Sequence, residues 1–382
     1  MIRYLACFLL ILFPRTMQGE IAVRIFARSK PSTVVFTPLK GEYFLFTSAT
    51  DSMRVAVNEP VVITRYNDRV ILKMKSVASA ASDQVILKSP EADALFTLRA
   101  TGKNDAVKTL NGSLKVSSYP GSLLVINIVE IEDYLPGVVK AEAGSSGPVE
   151  YFRAQAVVAR TYAYRNTGRH LLDGYNLCDD THCQVYPGII PETGIIDACR
   201  STAGSVLADR DSMLIISAFH ANCGGETASS SDVWVSAHPY LVRVTDPYCS
   251  SSPSSKWMRI FPVSMWNEFL RSKGIIEGVQ APVITSPPEE TRRTRYMLFG
   301  DKSVSYEDIR LAFSLRSSFF TVIPAADSVI FRGRGYGHGV GLCQDGARVM
   351  ASEGKSFSEI TGFYYPGTAV MNIKNARRPA IQ

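Results

Sequence analysis

The stretch EDYLPGVVKAEAGSSGPVEYFRAQAVVARTYAYRN, Glu132 to Asn166, contains two elements separated by a Gly/Ser turn. The first is a short apolar element that ends at Glu142, and it is predicted to be a strand-like or loop end. The second begins at Pro148, a residue favoured in the first turn of a helix, and apolar residues then recur at helical spacing. The pattern predicts one carboxylate held against an amphipathic helix.

Glu142 is therefore a candidate general acid. Burial among apolar groups raises the pKa of a carboxyl group, so that it holds a proton near neutral pH. On the helix, the polar residues Gln155, Arg160 and Thr161 are predicted to face Glu142. The alternatives are a solvated Glu142 and an Arg160 that lies on a solvated helix face.

The rest of the chain predicts an α+β fold, with a β-rich core, a few packed helices and an inserted subdomain. Upstream of the central stretch, short runs such as STVVFTPL, RVILKMKS and SLLVINIVEI alternate with Gly, Pro, Asn and Asp, which is typical of strands joined by turns. Further downstream, SMWNEFLRSKG and SYEDIRLAFSL are predicted helices that bracket a polar stretch, Pro282 to Arg295. The predicted regions are a signal peptide (1–19), a β-rich region (20–120), two parts of a core (121–248 and 326–382) and the inserted subdomain between them (249–325).

Composition limits the possible partners and location. The net charge of +6 is mild, and no dense Lys/Arg block indicates nucleic-acid binding. An apolar run from Tyr4 to Phe13 follows Arg3, is too short to span a bilayer, and is typical of a secretory signal peptide cut near Gly19. We therefore expect an exported protein, in the periplasm or cell-wall space, without a membrane span after signal cleavage.

Export affects the interpretation of the cysteines. One of the seven cysteines, Cys7, lies in the predicted signal peptide. The six other cysteines could form disulfides in an oxidising compartment. The segment LCDDTHCQVYPG places Cys178, His182 and Cys183 within six residues. These three side chains are possible zinc ligands. A disulfide and free thiols are the alternatives.

Two further segments carry candidate binding residues. In HANCGGETASSSDVW, Trp234 could stack on a sugar face or anchor the core. In FRGRGYGHGVGLCQDGARVMASEG, glycine occurs at every second position from 333 to 341. In an extended strand this period puts the glycines on one face, open to a close neighbour, and Arg334, Tyr336 and His338 on the other. A helix is predicted from Gln344 to about Ser352.

These motifs occur in a familiar order. EDYLPGVVKAE, AQAVVARTYA, CDDTHCQVYPG, CGGETASSSDVW, GRGYGHGVGLCQDGARVMA and YYPGT together resemble the stage II sporulation protein D family, which is related to amidase enhancers. The resemblance spans about residues 123–368. It implies an extracytoplasmic peptidoglycan lytic transglycosylase that acts on glycan strands, preferably those stripped of stem peptides, and leaves an anhydro-muramic end.

The resemblance also implies site residues. The acid of the family falls on Glu142, although relatives follow it with Met-Pro and this chain has Ala143-Gly144. Some relatives bind zinc near the segment that contains Cys178, His182 and Cys183, so zinc is a possible cofactor. The sequence patterns, rather than the resemblance, lead us to expect glycan binding by Arg160, Gln155, Tyr336, His338, Arg334 and Trp234. The alternatives are a hydrolase with Asp133, Asp232 or Asp345 as second carboxylate, and a non-catalytic glycan-binding protein that activates an amidase partner.

Overall fold

The computed structural model describes residues 19–47, 50–75, 80–102, 106–276 and 293–380. Residues 1–18 of the predicted signal peptide and most of the polar stretch Pro282 to Arg295 lie outside these residues. The described helices are α1 (Ile131–Ala143), α2 (Val149–Arg165), α3 (Thr193–Ser201), α4 (Ser230–Val233), α5 (Val263–Ser272), α6 (Tyr306–Ala312), α7 (Gln344–Ser352) and α8 (Phe357–Tyr364).

The first twelve strands precede these helices, and the other ten lie among and after them. They are β1 (Glu20–Arg24), β2 (Thr33–Lys40), β3 (Tyr43–Thr47), β4 (Thr50–Val55), β5 (Val61–Tyr66), β6 (Arg69–Lys73), β7 (Ala80–Ser82), β8 (Gln84–Lys88), β9 (Leu95–Thr101), β10 (Ala106–Asn111), β11 (Ser113–Tyr119), β12 (Ser122–Glu130), β13 (Leu177–Cys178), β14 (Ser205–Ala208), β15 (Phe219–His220), β16 (Lys256–Pro262), β17 (Tyr296–Phe299), β18 (Lys302–Ser305), β19 (Phe320–Pro324), β20 (Ser328–Arg334), β21 (Leu342–Cys343) and β22 (Ala369–Asn372). The α+β class with a β-rich core is confirmed.

The described chain forms two compact units. Unit 1 comprises the residues up to Val138 together with Asn166–Pro191, and unit 2 comprises Val139–Arg165 together with the chain from Glu192. The boundaries predicted from the sequence divide the chain differently, and they stay an interpretation.

Unit 1 contains two β-sheets that pack face to face. Their strand orders are β13-β1-β12-β11-β8-β3-β4 and β10-β9-β2-β5-β6-β7. Side chains alternate between buried and partly exposed along β2 and β9, as expected for strands with one face on a core. Phe36 and Phe96 of one sheet meet Tyr43 of the other, at ring-centroid distances of 5.1 and 5.6 Å.

Unit 2 is arranged around α2. This helix begins directly after Pro148, as predicted, and buries a run of side chains from Tyr151 to Tyr164. It packs against α3, α7, α8 and β14. Because most of its circumference is covered, α2 is a central helix of the unit.

A hydrophobic cluster in unit 2, apart from the surroundings of α2, is formed by residues between Trp257 and Phe331. Three rings lie at its centre: Trp266 of α5, Phe313 directly after α6, and Phe331 of β20. Their ring centroids are 5.1 to 5.8 Å apart. The helices predicted here are confirmed as α5 and α6. Val329 and Phe331 of the cluster lie in β20, beyond residue 325. The predicted bounds of the inserted subdomain, 249–325, therefore separate β20 from the cluster to which its side chains belong. Each helix of the described residues is too short or too polar to cross a bilayer.

Candidate functional site

Glu142 lies in the last turn of α1, and the prediction of a strand-like or loop end is wrong. The sequence pattern was misleading because Pro136 and Gly137 interrupt the element. Proline at the sixth helical position removes one backbone hydrogen bond, and burial of Tyr134, Leu135 and Val138 compensates for that loss. The Glu142 side chain is half-buried, between the exposed Ala141 and the buried Ala143.

The turn that contains Glu142 is anchored by α7. The Gln344 side-chain amide donates to the Glu142 backbone carbonyl over 2.9 Å. Arg348 donates to the Ala143 carbonyl over 2.8 Å and also to the Ser146 carbonyl. These donors satisfy carbonyl groups that the end of a helix leaves unpaired, and the guanidinium charge is favourable at a helix C-terminus. The helix predicted from Gln344 is confirmed, and it anchors the backbone of the turn that contains Glu142.

Two residues of α2 that were predicted to bind substrate are fully buried instead. Arg160 donates to the Cys199 and Ser205 carbonyl oxygens, each over 3.1 Å, and thereby fastens α3 to α2. Gln155 is fully buried, and neither of its amide atoms has a hydrogen-bond partner among the described residues. A polymer cannot reach groups that are closed off from solvent, so neither residue contacts a glycan in this structure.

The glycine-rich segment is not an extended strand beyond Arg334, where β20 ends. Gly335, Gly337, Gly339 and Gly341 have φ between +73° and +99°, the left-handed region that favours glycine. A close neighbour does lie against these glycines, as predicted. A Cβ atom at position 335 would lie 2.5 Å from the Asn222 carbonyl oxygen, and one at position 341 would lie 2.1 Å from that of Ala218.

The side chains between the glycines do not share one face. Arg334 lies over the Phe319 ring, with Cζ 4.1 Å from the centroid. Tyr336 is 48% exposed. The half-buried His338 and Trp234 lie together, with ring centroids 5.7 Å apart. The segment therefore presents a Trp-His pair and a separate tyrosine, while Arg334 packs on an internal aromatic ring.

His338 is held neutral by its surroundings. Burial, with the charges of Arg293 and Arg310, lowers the pKa of its imidazole to about 4. Its Nδ1 accepts a hydrogen bond of 3.0 Å from the Val340 amide, which requires an unprotonated nitrogen. At neutral pH the side chain is thus a hydrogen-bonding aromatic group without charge.

A Cys/His cluster lies in unit 1. Sγ of Cys178 is 3.8 Å from Nδ1 of His182, and Sγ of Cys183 is 3.6 Å from the same atom. His170, which the sequence analysis missed because it precedes the motif by eight residues, places Nε2 3.5 Å from Cys183 Sγ. All four donor atoms lie within 4.8 Å of one another.

This donor set fits a zinc ion. With zinc–sulfur bonds of about 2.3 Å and zinc–nitrogen bonds of about 2.0 Å, the corners of a tetrahedron are roughly 3.5 to 3.8 Å apart. The three sulfur–nitrogen distances in the cluster fall in that range. Two thiols and two imidazoles are ligands that zinc prefers.

The chain is similar to known proteins over the part that contains these elements. The family model described as stage II sporulation protein matches residues 119–208, which contain α1, α2 and the Cys/His cluster. Stage II sporulation protein D of Bacillus subtilis is 32% identical over 260 residues, which cover 63% of this chain and 74% of that protein. The chain belongs to the stage II sporulation protein D family.

Two further relatives show the range of the similarity. A protein of Brachyspira hyodysenteriae described as uncharacterized is 29% identical over 275 residues, covering 70% of this chain and 73% of that protein. A Bacillus subtilis protein named amidase enhancer is 29% identical over 290 residues, which cover 62% of this chain but 40% of the relative. The family thus includes proteins named for sporulation and a longer one named for enhancing an amidase.

Proposed function

We propose that this protein is a lytic transglycosylase that cleaves peptidoglycan glycan strands between N-acetylmuramic acid and N-acetylglucosamine. The observation that carries the proposal is the placement of Glu142, half-buried at the end of α1, with its own carbonyl anchored by Gln344. Membership of the family supports a role at the cell wall. The preference for strands without stem peptides follows from the family resemblance.

One carboxyl group is enough for this reaction. Protonated Glu142 gives its proton to the glycosidic oxygen while the bond from that oxygen to the anomeric carbon of muramic acid breaks. The resulting carboxylate then removes the proton from the C6 hydroxyl of the same sugar, and this oxygen bonds to the anomeric carbon to close the anhydro ring. The acid is regenerated and no water is consumed. The tethered nucleophile makes ring closure favourable in entropy.

A hydrolase would need a second carboxyl group, and the three candidates each have structural partners. Asp133 accepts a hydrogen bond of 2.7 Å from Asn111. Asp232 pairs with Arg243 at 2.8 Å. Asp345 accepts from Asn222 over 2.9 Å and from Ser252 over 2.6 Å. These contacts favour the mechanism with one acid.

The glycan is proposed to contact three aromatic groups of unit 2, the exposed Tyr336 and the half-buried Trp234 and His338. Tyr336 and the Trp234–His338 pair offer ring faces and polar edges, and an amphipathic ring suits a sugar that has both apolar and hydroxyl surfaces. Because His338 is neutral and its Nδ1 accepts from the Val340 amide, it contributes a ring face rather than a charge. Arg160 and Gln155 are left out of this proposal because both are buried.

Zinc is proposed as a structural component of unit 1. His170, Cys178, His182 and Cys183 would hold it, and with four protein ligands the ion has no open position for substrate. A closed site of this kind stabilises the fold around it. We also propose export, which would place the enzyme beside its polymer in the periplasm or cell-wall space.

The decisive experiment compares Glu142→Gln with Glu353→Gln on purified glycan strands stripped of peptides. The first substitution keeps the side-chain volume and removes the acid, whereas Glu353 is exposed at the end of α7 and serves as the matched control. Anhydro-ended products, measured by mass spectrometry, should fall by at least about 10²-fold in the first variant only. Parental product yield from Glu142→Gln, or incorporation of heavy oxygen from labelled water into new ends, would overturn the mechanism.

The second candidate function is enhancement of an amidase without glycan cleavage. The similarity to the amidase enhancer favours it, as does the Ala143-Gly144 sequence that follows the acid. In this case the purified protein would bind glycan strands, leave them intact and raise the turnover of a cell-wall amidase. Glu142→Gln would then enhance the amidase as well as the parent does.

A further inference from the structure

A second cluster of metal-ligand side chains lies in unit 2 and takes no part in the proposed reaction. It consists of Cys223, Asp246, Cys249 and Cys343, all buried, with donor atoms within 4.8 Å of one another. Cys223 Sγ lies 3.3 Å from Cys249 Sγ and 3.1 Å from Asp246 Oδ2. The four residues come from three separate parts of the chain, so only the fold assembles them.

The sulfur atoms receive hydrogen bonds from the backbone. Cys343 Sγ accepts from the Cys223 amide over 3.3 Å and from the Gly346 amide over 3.4 Å. Cys343 is also the N-cap of α7, so its sulfur faces the positive end of the helix dipole. Donors aimed at buried sulfur stabilise thiolates, which is the form that binds a metal.

The carboxylate is oriented by neighbours outside the cluster. Tyr364 donates to Asp246 Oδ2 over 2.9 Å, and the Tyr248 amide donates to Oδ1 over 2.9 Å. Outer contacts of this kind fix the ligands of metal sites. The buried guanidinium of Arg293 donates to the Cys223 carbonyl over 3.0 Å and adds positive charge beside the thiolates.

We infer that Cys223, Cys249, Cys343 and Asp246 form a second zinc site, separate from the Cys/His cluster of unit 1. Three thiolates with one carboxylate are a tetrahedral set for a borderline-soft ion. In such a site sulfur atoms are roughly 3.8 Å apart, so the Cys223 and Cys249 sulfurs need to separate by about 0.5 Å. A disulfide of about 2.05 Å would need a larger movement in the other direction, and it would leave Cys343 and Asp246 without a role.

The site would fasten three elements of unit 2. Cys223 follows β15, Cys249 lies in the loop before β16, and Cys343 ends β21 and is the N-cap of α7. Helix α7 carries Gln344, whose side chain binds the Glu142 carbonyl. The metal would therefore stabilise the element that anchors this turn, whether or not the protein cleaves glycan.

The test is a count of zinc in chains purified without a metal-affinity tag. A Cys178→Ser/Cys183→Ser background removes thiolates of the first cluster, and it should retain one zinc per chain by elemental mass spectrometry. Adding Cys249→Ser should remove that zinc, whereas adding Cys199→Ser should not, because Cys199 lies in α3 outside both clusters. Zinc-edge X-ray absorption of the background protein should show about three sulfur ligands and one light atom.

Wild-type chain provides a measurement that does not depend on the folding of variants. With both clusters filled, the absorption spectrum should average about 2.5 sulfur ligands per zinc, and with the second cluster alone it should show about three. An average of two sulfur ligands, or peptide mapping that finds a Cys223–Cys249 disulfide, would overturn the second site.

Discussion

The anchoring of the Glu142 turn by α7 makes Arg348→Met a sensitive perturbation. Methionine keeps much of the side-chain stem but removes the donors to the Ala143 and Ser146 carbonyls and the charge over the Tyr151 ring, 4.6 Å from Cζ. The half-buried Ala143 bond contributes about 1.5 kcal/mol, the exposed Ser146 bond about 0.5 and the cation–π contact about 1. Local opening should therefore become easier by roughly 3 kcal/mol, which is about a hundredfold in the equilibrium constant.

Hydrogen exchange detected by mass spectrometry measures this opening directly. A peptide over residues 139–150 contains the Gly144 amide, which donates to the Lys140 carbonyl over 3.0 Å and reports on the end of α1. Its protection should fall by about 10²-fold in Arg348→Met. Arg200→Met, at an exposed position of α3, is the matched control and should leave the same peptide unchanged. A change below about threefold in Arg348→Met would refute the view that this residue holds the turn.

Three other substitutions test separate parts of the structure. Burial lowers the pKa of His338 to about 4, so the folded state binds a proton less readily than the unfolded chain, and stability should be lost as pH falls from about 6.5 toward 4. Between pH 7 and 5, thermal unfolding should show that the free energy of unfolding falls by about 2 kcal/mol. His338→Gln should lack this loss. Gln155→Met should raise the free energy of unfolding, measured with urea, by about 1 kcal/mol and leave glycan binding unchanged, because the buried amide has no partner among the described residues. Weaker glycan binding by this variant would support the predicted contact of Gln155 with substrate. Gly333→Ala should cost about 2 kcal/mol or more, because its Cβ would lie 2.1 Å from the Trp257 ring, and an unchanged urea midpoint would contradict that packing.

Local signals explain which parts of the fold were predictable. The helix after Pro148 and the helix from Gln344 each have a start signal followed by helical spacing, and both occur as predicted. Helix α1 was missed because Pro136-Gly137 is a turn signal, and tertiary packing outweighs it. A Cβ atom at Gly137 would lie 2.4 Å from the Gly188 carbonyl oxygen, so this glycine permits close approach within unit 1 rather than a turn.

The candidate site was predictable only where neighbours in sequence are also neighbours in space. Cys178, His182 and Cys183 are close in both senses, whereas His170 joins them only through the fold. Alternation of glycine is compatible with an extended strand and with left-handed backbone, and the sequence pattern cannot distinguish them. The Arg160 guanidinium is satisfied by carbonyl groups about 40 residues away in the chain, and helical periodicity carries no information about such partners.

The bond between Gln344 and Glu142 joins residues 202 positions apart. During synthesis, the proposed acid therefore emerges long before the residue that fixes its turn. A nascent or truncated chain that stops short of α7 would contain the carboxylate without its support.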